Sequence, residues 1–204
     1  MLLRHMFRWL SLCALLCVVS ISSVFRWRAR QASGTIARAA EGPALMLMRA
    51  VVALPLFASI VLYLVNPELM RWSTFALPRA GQWIGAAFAL AAVPLAWWVF
   101  RSIGSNVSET ILIKKQHHLI THGPYRWVRH PLYATGSLLL IGIGLMAANW
   151  CILGLTAIAL VGMHALIIPR EEQALIERFG DAYRQYMRGT GRVVPGIGRP
   201  RSGP

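Results

Sequence analysis

Across residues 134–168 the chain runs for about 35 residues without a single Asp, Glu, Lys or Arg. A membrane-spanning helix needs roughly 20 apolar residues, so this run is too long for one crossing and leaves no room for a long loop between two. Ala147-Ala148-Asn149-Trp150 falls near its middle. The run therefore predicts a tight helical hairpin. Residues 9–24, 45–65 and 83–100 are apolar in the same way. Together they predict an all-α polytopic membrane protein with five transmembrane helices, the hairpin supplying spans four and five. Composition agrees, because 56% hydrophobic residues with only seven acidic side chains in 204 do not describe a soluble domain.

Basic residues set the orientation, since Lys and Arg gather in cytoplasmic loops. Arg26, Arg28, Arg30, Arg38 and Arg49 lie around the junction of spans one and two. Arg101, Lys114, Lys115, Arg126 and Arg129 follow span three, and seven arginines fill residues 170–204. Only Arg71 and Arg79 occupy the loop after span two. The consistent solution places the N-terminus outside and residues 101–133 and the C-terminal tail inside, as in a bacterial inner membrane with its polar segments facing the cytoplasm. Arg4 and Arg8 oppose it mildly, and residues 1–44 read either as a first span with a basic linker or as a signal anchor with Ser20-Ile21-Ser22-Ser23 as an imperfect cleavage site. Residues 45–195 form the core, and residues 196–204 a flexible tail.

The net charge of +14 does not imply nucleic acid, because the arginines flank apolar spans, where topology and anionic lipid headgroups account for them. Cys13, Cys17 and Cys151 all fall in spans and give neither a disulfide framework nor a metal site. No acidic residue lies within a span, which argues against a proton-relay transporter.

Polar chemistry is confined to two segments, one on each side of the hairpin. In the first, residues 110–113 are strand-like, Gly123-Pro124 is a turn, and Pro131 pushes His130 toward extended backbone while itself fitting the first turn of span four. Two readings stand for "GPYRWVRHPLYATG": an interfacial anchor of Tyr125, Trp127 and Tyr133 with Arg126 and Arg129 reaching headgroups, or irregular backbone lining a cavity. The histidines at 117, 118, 122 and 130 lack a metal-ligand spacing. In the second segment, Glu171 and Glu172 follow Pro169, and Leu175, Phe179, Tyr183 and Met187 recur every fourth residue. That spacing predicts one cytoplasmic amphipathic helix ending at Gly189 and Gly191.

The order His117-His118-Leu119-Ile120, Gly123-Pro124-Tyr125, Arg129-His130-Pro131-Leu132-Tyr133, an apolar hairpin, Glu171-Glu172, Phe179-Gly180-Asp181-Ala182-Tyr183 and Pro195 resembles the isoprenylcysteine carboxyl methyltransferase family, integral membrane methyltransferases whose superfamily includes phospholipid N-methyltransferases. The likeness covers residues 106–195. It implies S-adenosylmethionine held by His117, His118, Leu119, Ile120, Tyr125, His130, Pro131, Leu132, Tyr133 and Glu171, with Arg129, Arg170 and Glu172 as candidates for acceptor contact. Four positions before the cofactor glutamate, where isoprenylcysteine enzymes carry an arginine that binds the acceptor carboxylate, this chain has Ile167.

Methyl transfer from a sulfonium is an in-line displacement, for which alignment contributes roughly 7–11 kcal/mol. No general base stands out. The expected acceptor is lipophilic or small and amphipathic: a prenylcysteine-like carboxylate, an amine or a thiol. Two other readings compete, a nicotinamide-dependent membrane reductase resembling sterol reductases and a non-catalytic membrane scaffold.

Overall fold

The structure, a computed structural model, describes residues 2–33, 42–104 and 119–198. Among the described residues there are seven α-helices: α1 (Leu2–Ser33), α2 (Pro43–Val65), α3 (Arg79–Ile103), α4 (Pro131–Ala147), α5 (Trp150–Gly162), α6 (Ile168–Phe179) and α7 (Asp181–Gly189). Four helical stretches among the described residues are long and apolar enough to cross a bilayer: His5–Gln31, Leu45–Val65, Arg79–Ile103 and Trp150–Phe179. The last is continuous because a π-helical segment, Met163–Ile167, joins α5 to α6. The apolar helix α4 has 17 residues, at the short end of the spanning range.

The hairpin turns where the sequence places it. Ala148 takes the left-handed conformation, φ 45° and ψ 50°. Asn149 then caps α5, its Oδ1 accepting from the Ile152 amide at 3.0 Å. The same side chain donates from Nδ2 to Ser73 Oγ at 2.7 Å and to the Met70 carbonyl at 3.2 Å. Phe75 N–H donates to the Ala148 carbonyl at 2.9 Å. One buried asparagine thus caps a helix and fastens the hairpin tip to the 3₁₀ turn Pro67–Ser73.

Small residues let α3 and α4 pack backbone against backbone. A Cβ on Gly85 would lie 2.8 Å from the Gly142 carbonyl oxygen, and one on Gly142 would lie 2.6 Å from that of Gly85. Ala86, Ala89 and Ala92 are buried in the same core as Leu139, Ile143 and Met146. In lipid, where apolar surface gains little by leaving the solvent, close packing of this kind drives helix association. The first helix belongs to this packing: Phe7 is buried against Trp83, ring centroids 5.3 Å apart, and Arg8 Nε donates to the Leu64 carbonyl at 2.7 Å.

These contacts gather the N-terminal end of α1, the α2–α3 connection and the hairpin tip at one end of the bundle. Ala29, Phe100 and Leu132 pack at the opposite end, where the loop before α4 meets α6 and α7. The single amphipathic helix expected through Gly189 is instead two helices. Gly180 adopts φ 57° and ψ −130°, a conformation open to glycine, and the turn it makes brings Tyr183 into the interior, 1% exposed.

Candidate functional site

The site is assembled from three pieces of chain. In the first, Gly123 has φ 61°, and a Cβ there would strike the Ser102 side chain. It opens the 3₁₀ turn Gly123–Arg126, which buries Tyr125. Pro131, buried, begins α4. The second piece is the start of α6, with Glu171 and Glu172. The third is α7 and the strap that follows it, which lies along the loop: Arg129 N–H donates to the Gly191 carbonyl at 2.8 Å, His130 N–H to that of Arg192 at 2.9 Å, and Gly191 N–H to that of Trp127 at 3.1 Å.

Arg129 holds these pieces together. Its Nε donates to Glu172 Oε1 at 2.8 Å. Its terminal nitrogens donate to the carbonyls of Met187 at 3.1 Å, Thr190 at 2.5 Å and Gly198 at 2.8 Å. Glu172 Oε2 accepts from Arg192 NH2 at 2.8 Å, and Oε1 lies 3.3 Å from His130 Nε2. Both Arg129 and Glu172 are buried, so each charge is matched by several polar partners, as low-dielectric surroundings require. The Tyr186 hydroxyl donates to the Tyr125 carbonyl at 2.6 Å, a further tie between α7 and the loop.

His130 sits between two carboxylates. Its Nδ1 is 3.7 Å from Glu171 Oε2, beyond hydrogen-bond reach, and its ring stacks on Tyr133 with centroids 5.7 Å apart. Glu171 Oε2 is buried and has no hydrogen-bond partner among the described residues, although the side chain as a whole is 30% exposed. Burial pushes the Tyr125 hydroxyl above its ordinary pKa, and Glu171 and Tyr186 push it the same way. Tyr125 is therefore a protonated hydrogen-bond donor at any physiological pH.

Of the residues expected from the sequence, Tyr125, His130, Tyr133 and Glu171 are brought to one place. Leu119 and Ile120 are half-buried. Leu132 packs toward Phe100 and Ala29 in the apolar cluster at this end. His117 and His118, and the strand-like residues 110–113, lie outside the described residues. Arg170 is exposed. Arg129 and Glu172, expected at the acceptor, are instead committed to the buried network, where nearly every donor of the guanidinium already has an acceptor. Trp127 is exposed and meets Trp98 edge to face at 5.5 Å, with the Arg126 guanidinium 5.7 Å from its ring. Arg192 and Tyr183 join the site without having been singled out for it; Arg192 carries no motif, and its partners are distant in sequence.

The fold and this geometry define a polytopic helical membrane protein with a buried, carboxylate-bearing polar site at one end of its bundle. The chain belongs to the phospholipid methyltransferase family, whose model matches residues 80–182, in keeping with the resemblance carried by its motifs. It is 36% identical over 97 residues to protein-S-isoprenylcysteine O-methyltransferase A of Arabidopsis thaliana, covering 46% of this chain and 49% of that one. It is 32% identical over 82 residues to a cobalt-zinc-cadmium resistance protein of Cupriavidus metallidurans, covering 40% of this chain and 38% of that one. Among solved structures it is similar to a eukaryotic intramembrane Ras methyltransferase, isoprenylcysteine carboxyl methyltransferase, with TM-score 0.52 and 23% identity over 80% of this chain and 55% of the other. The chain thus spans about half or less of the length of these proteins, and the structural likeness speaks for the fold.

Proposed function

We propose that this protein is an S-adenosylmethionine-dependent membrane methyltransferase acting on a lipophilic or small amphipathic acceptor. The observation that carries the reading is Glu171: a carboxylate oxygen buried beside His130 with no hydrogen-bond partner among the described residues. A buried carboxylate oxygen without a partner is costly, and an ammonium or sulfonium brought to it removes that cost. The residues present therefore fit the cofactor. Glu171 would face its cationic end, Tyr125 and Tyr133 offer aromatic surface for the adenine, and the irregular backbone from Leu119 to His122 offers donors and acceptors; His117 and His118 belong to the same proposal.

When bound, S-adenosylmethionine supplies an electrophilic methyl on a sulfonium, which passes to the acceptor's lone pair and leaves a neutral thioether. The chain's own task is alignment and exclusion of water. Arg129 and Glu172 fix His130 from behind, and the strap after α7 closes over the loop. A carboxylate or thiolate acceptor needs no general base, whereas an ammonium must first lose a proton. Ile167 in place of an acceptor-binding arginine favours an acceptor other than a prenylcysteine carboxylate.

In the membrane we infer five crossings, with α4 as the fourth, and the site on the cytoplasmic side, where the charge asymmetry of the loops places it. Residues 45–195 carry the site, and the buried Phe7 and Ser11 make α1 part of the same core. Titration calorimetry of the detergent-solubilised protein with S-adenosylmethionine tests the reading. Binding by the wild type and its loss in both Glu171→Gln and His130→Ala are expected; unchanged affinity in the two variants would sink the site. Radiolabelled methyl transfer into a lipid extract, a prenylcysteine analogue and a thiol panel then identifies the acceptor.

A further inference from the structure

Three buried polar atoms at this end of the bundle have no hydrogen-bond partner among the described residues: Glu171 Oε2, the Tyr183 hydroxyl and Arg192 Nε. They belong to one linked cluster. Glu171 Oε2 is 3.7 Å from His130 Nδ1, His130 Nε2 is 3.3 Å from Glu172 Oε1, and Glu172 Oε2 is 2.8 Å from Arg192 NH2. Tyr183, 1% exposed on α7, has its ring 5.8 Å from that of Tyr186, whose hydroxyl donates to the Tyr125 carbonyl at 2.6 Å, and burial with the Glu172 and Glu171 carboxylates raises its pKa. Native structures rarely leave such atoms unmatched, and three in one cluster call for an explanation.

Their chemistry is not symmetric. A glutamate carboxylate only accepts hydrogen bonds and an arginine Nε only donates. The tyrosine hydroxyl can do either, and burial followed by the neighbouring Glu172 carboxylate pushes its pKa up, so it keeps its proton to donate. One anionic acceptor and two donors, one of them cationic, are the complement of an ammonium and a carboxylate borne on the same small group. We propose that Arg192 and Tyr183 receive the carboxylate of an α-amino-acid moiety whose ammonium is taken by Glu171, so that the strap after α7 supplies part of the ligand site. This rests on the methyltransferase reading and assigns the amino-acid end of its cofactor to residues outside the loop and α6.

The two halves of the cluster make different demands on the ligand. Removing the carboxylate should cost affinity only through Arg192 and Tyr183, while the cationic end remains with Glu171. Arg192→Lys keeps a positive charge near Glu172 but removes the Nε donor. Tyr183→Phe deletes only an oxygen that has no partner among the described residues, so it should melt at or above the wild-type temperature without ligand.

The experiment is calorimetric titration of the full detergent-solubilised chain with S-adenosylmethionine and with its decarboxylated analogue, alongside the ligand-free melting temperature. The wild type is expected to bind the carboxylated form at least about tenfold more tightly, and each variant to lose about tenfold for that form with little change for the analogue, the size of one charge-assisted hydrogen bond. If either variant loses the same factor for both compounds, or if the wild type does not discriminate between them, the carboxylate assignment is overturned while the methyltransferase reading stands. If the wild type binds neither compound, both fall.

Discussion

Arg129 and Glu172 form an ion pair closed to solvent, Nε to Oε1 at 2.8 Å, with side chains 0% and 5% exposed. The pair joins the loop before α4 to the start of α6, across the whole apolar hairpin. Breaking a buried pair by neutralising one partner typically costs about 3–5 kcal/mol because the other charge is left uncompensated. Glu172→Gln is therefore expected to lower the thermal melting point of the detergent-solubilised protein sharply. The Arg184–Asp181 pair has the same 2.8 Å separation but side chains 54% and 97% exposed, so Asp181→Asn should shift stability by no more than about 0.5 kcal/mol. Equal shifts in the two variants would contradict the structural role given to Glu172.

Asn149 combines a helix cap with two hydrogen bonds to the turn Pro67–Ser73. Loss of a cap costs about 1 kcal/mol, and losing the Nδ2 donor takes one bond each from the buried Ser73 hydroxyl and the Met70 carbonyl, which keep their mutual bond of 2.9 Å. Asn149→Ala should destabilise by about 2–3 kcal/mol, whereas Asn149→Asp, which keeps the cap oxygen and loses the donor, should separate the two contributions. Melting curves of the two variants against wild type measure both.

The contact between Gly85 and Gly142 leaves no room for a Cβ on either residue. Overpacking of this kind costs roughly 1–3 kcal/mol where the backbone can shift. Gly142→Val is expected to reduce the yield of folded, monodisperse protein on size-exclusion chromatography, and Gly154→Val, where nothing lies within 4 Å of the Cβ position, to leave it unchanged.

Tyr125, Tyr183 and Tyr186 all have hydroxyl pKa values raised by burial. In the unfolded chain these groups titrate near 10. Above that pH the unfolded state binds fewer protons than the folded one, so stability present below about pH 10 is lost as the pH rises further. Melting temperatures should fall more steeply between about pH 10 and 11 in the wild type than in a variant carrying Tyr186→Phe and Tyr183→Phe. Parallel curves would show that these hydroxyls ionise as readily folded as unfolded.

Much of the architecture is legible without the fold. Apolar length and the break at Ala147–Trp150 determine the helical spans and the hairpin, because a bilayer accepts only backbones that satisfy their own hydrogen bonds. Pro131 at the head of α4 and Glu171 in the first turn of α6 follow from equally local rules. The expected single helix through Gly189 differs from the two observed for a local reason as well: a four-residue apolar repeat fits one helix or two, and the repeat does not register that Gly180 turns the chain.

Which polar groups are already matched follows from the assembled fold alone. Arg129 and His130 are neighbours in sequence, equally polar and equally buried, yet Arg129 is held by Glu172 and three carbonyls while His130 faces Glu171 across a gap. That distinction depends on Met187, Thr190 and Gly198, residues 58 to 69 positions away. Hydrogen-bond satisfaction is a property of the assembled surroundings and has no local signature. The sequence therefore names the polar residues at the membrane edge, and the fold sorts those already matched from those that are not.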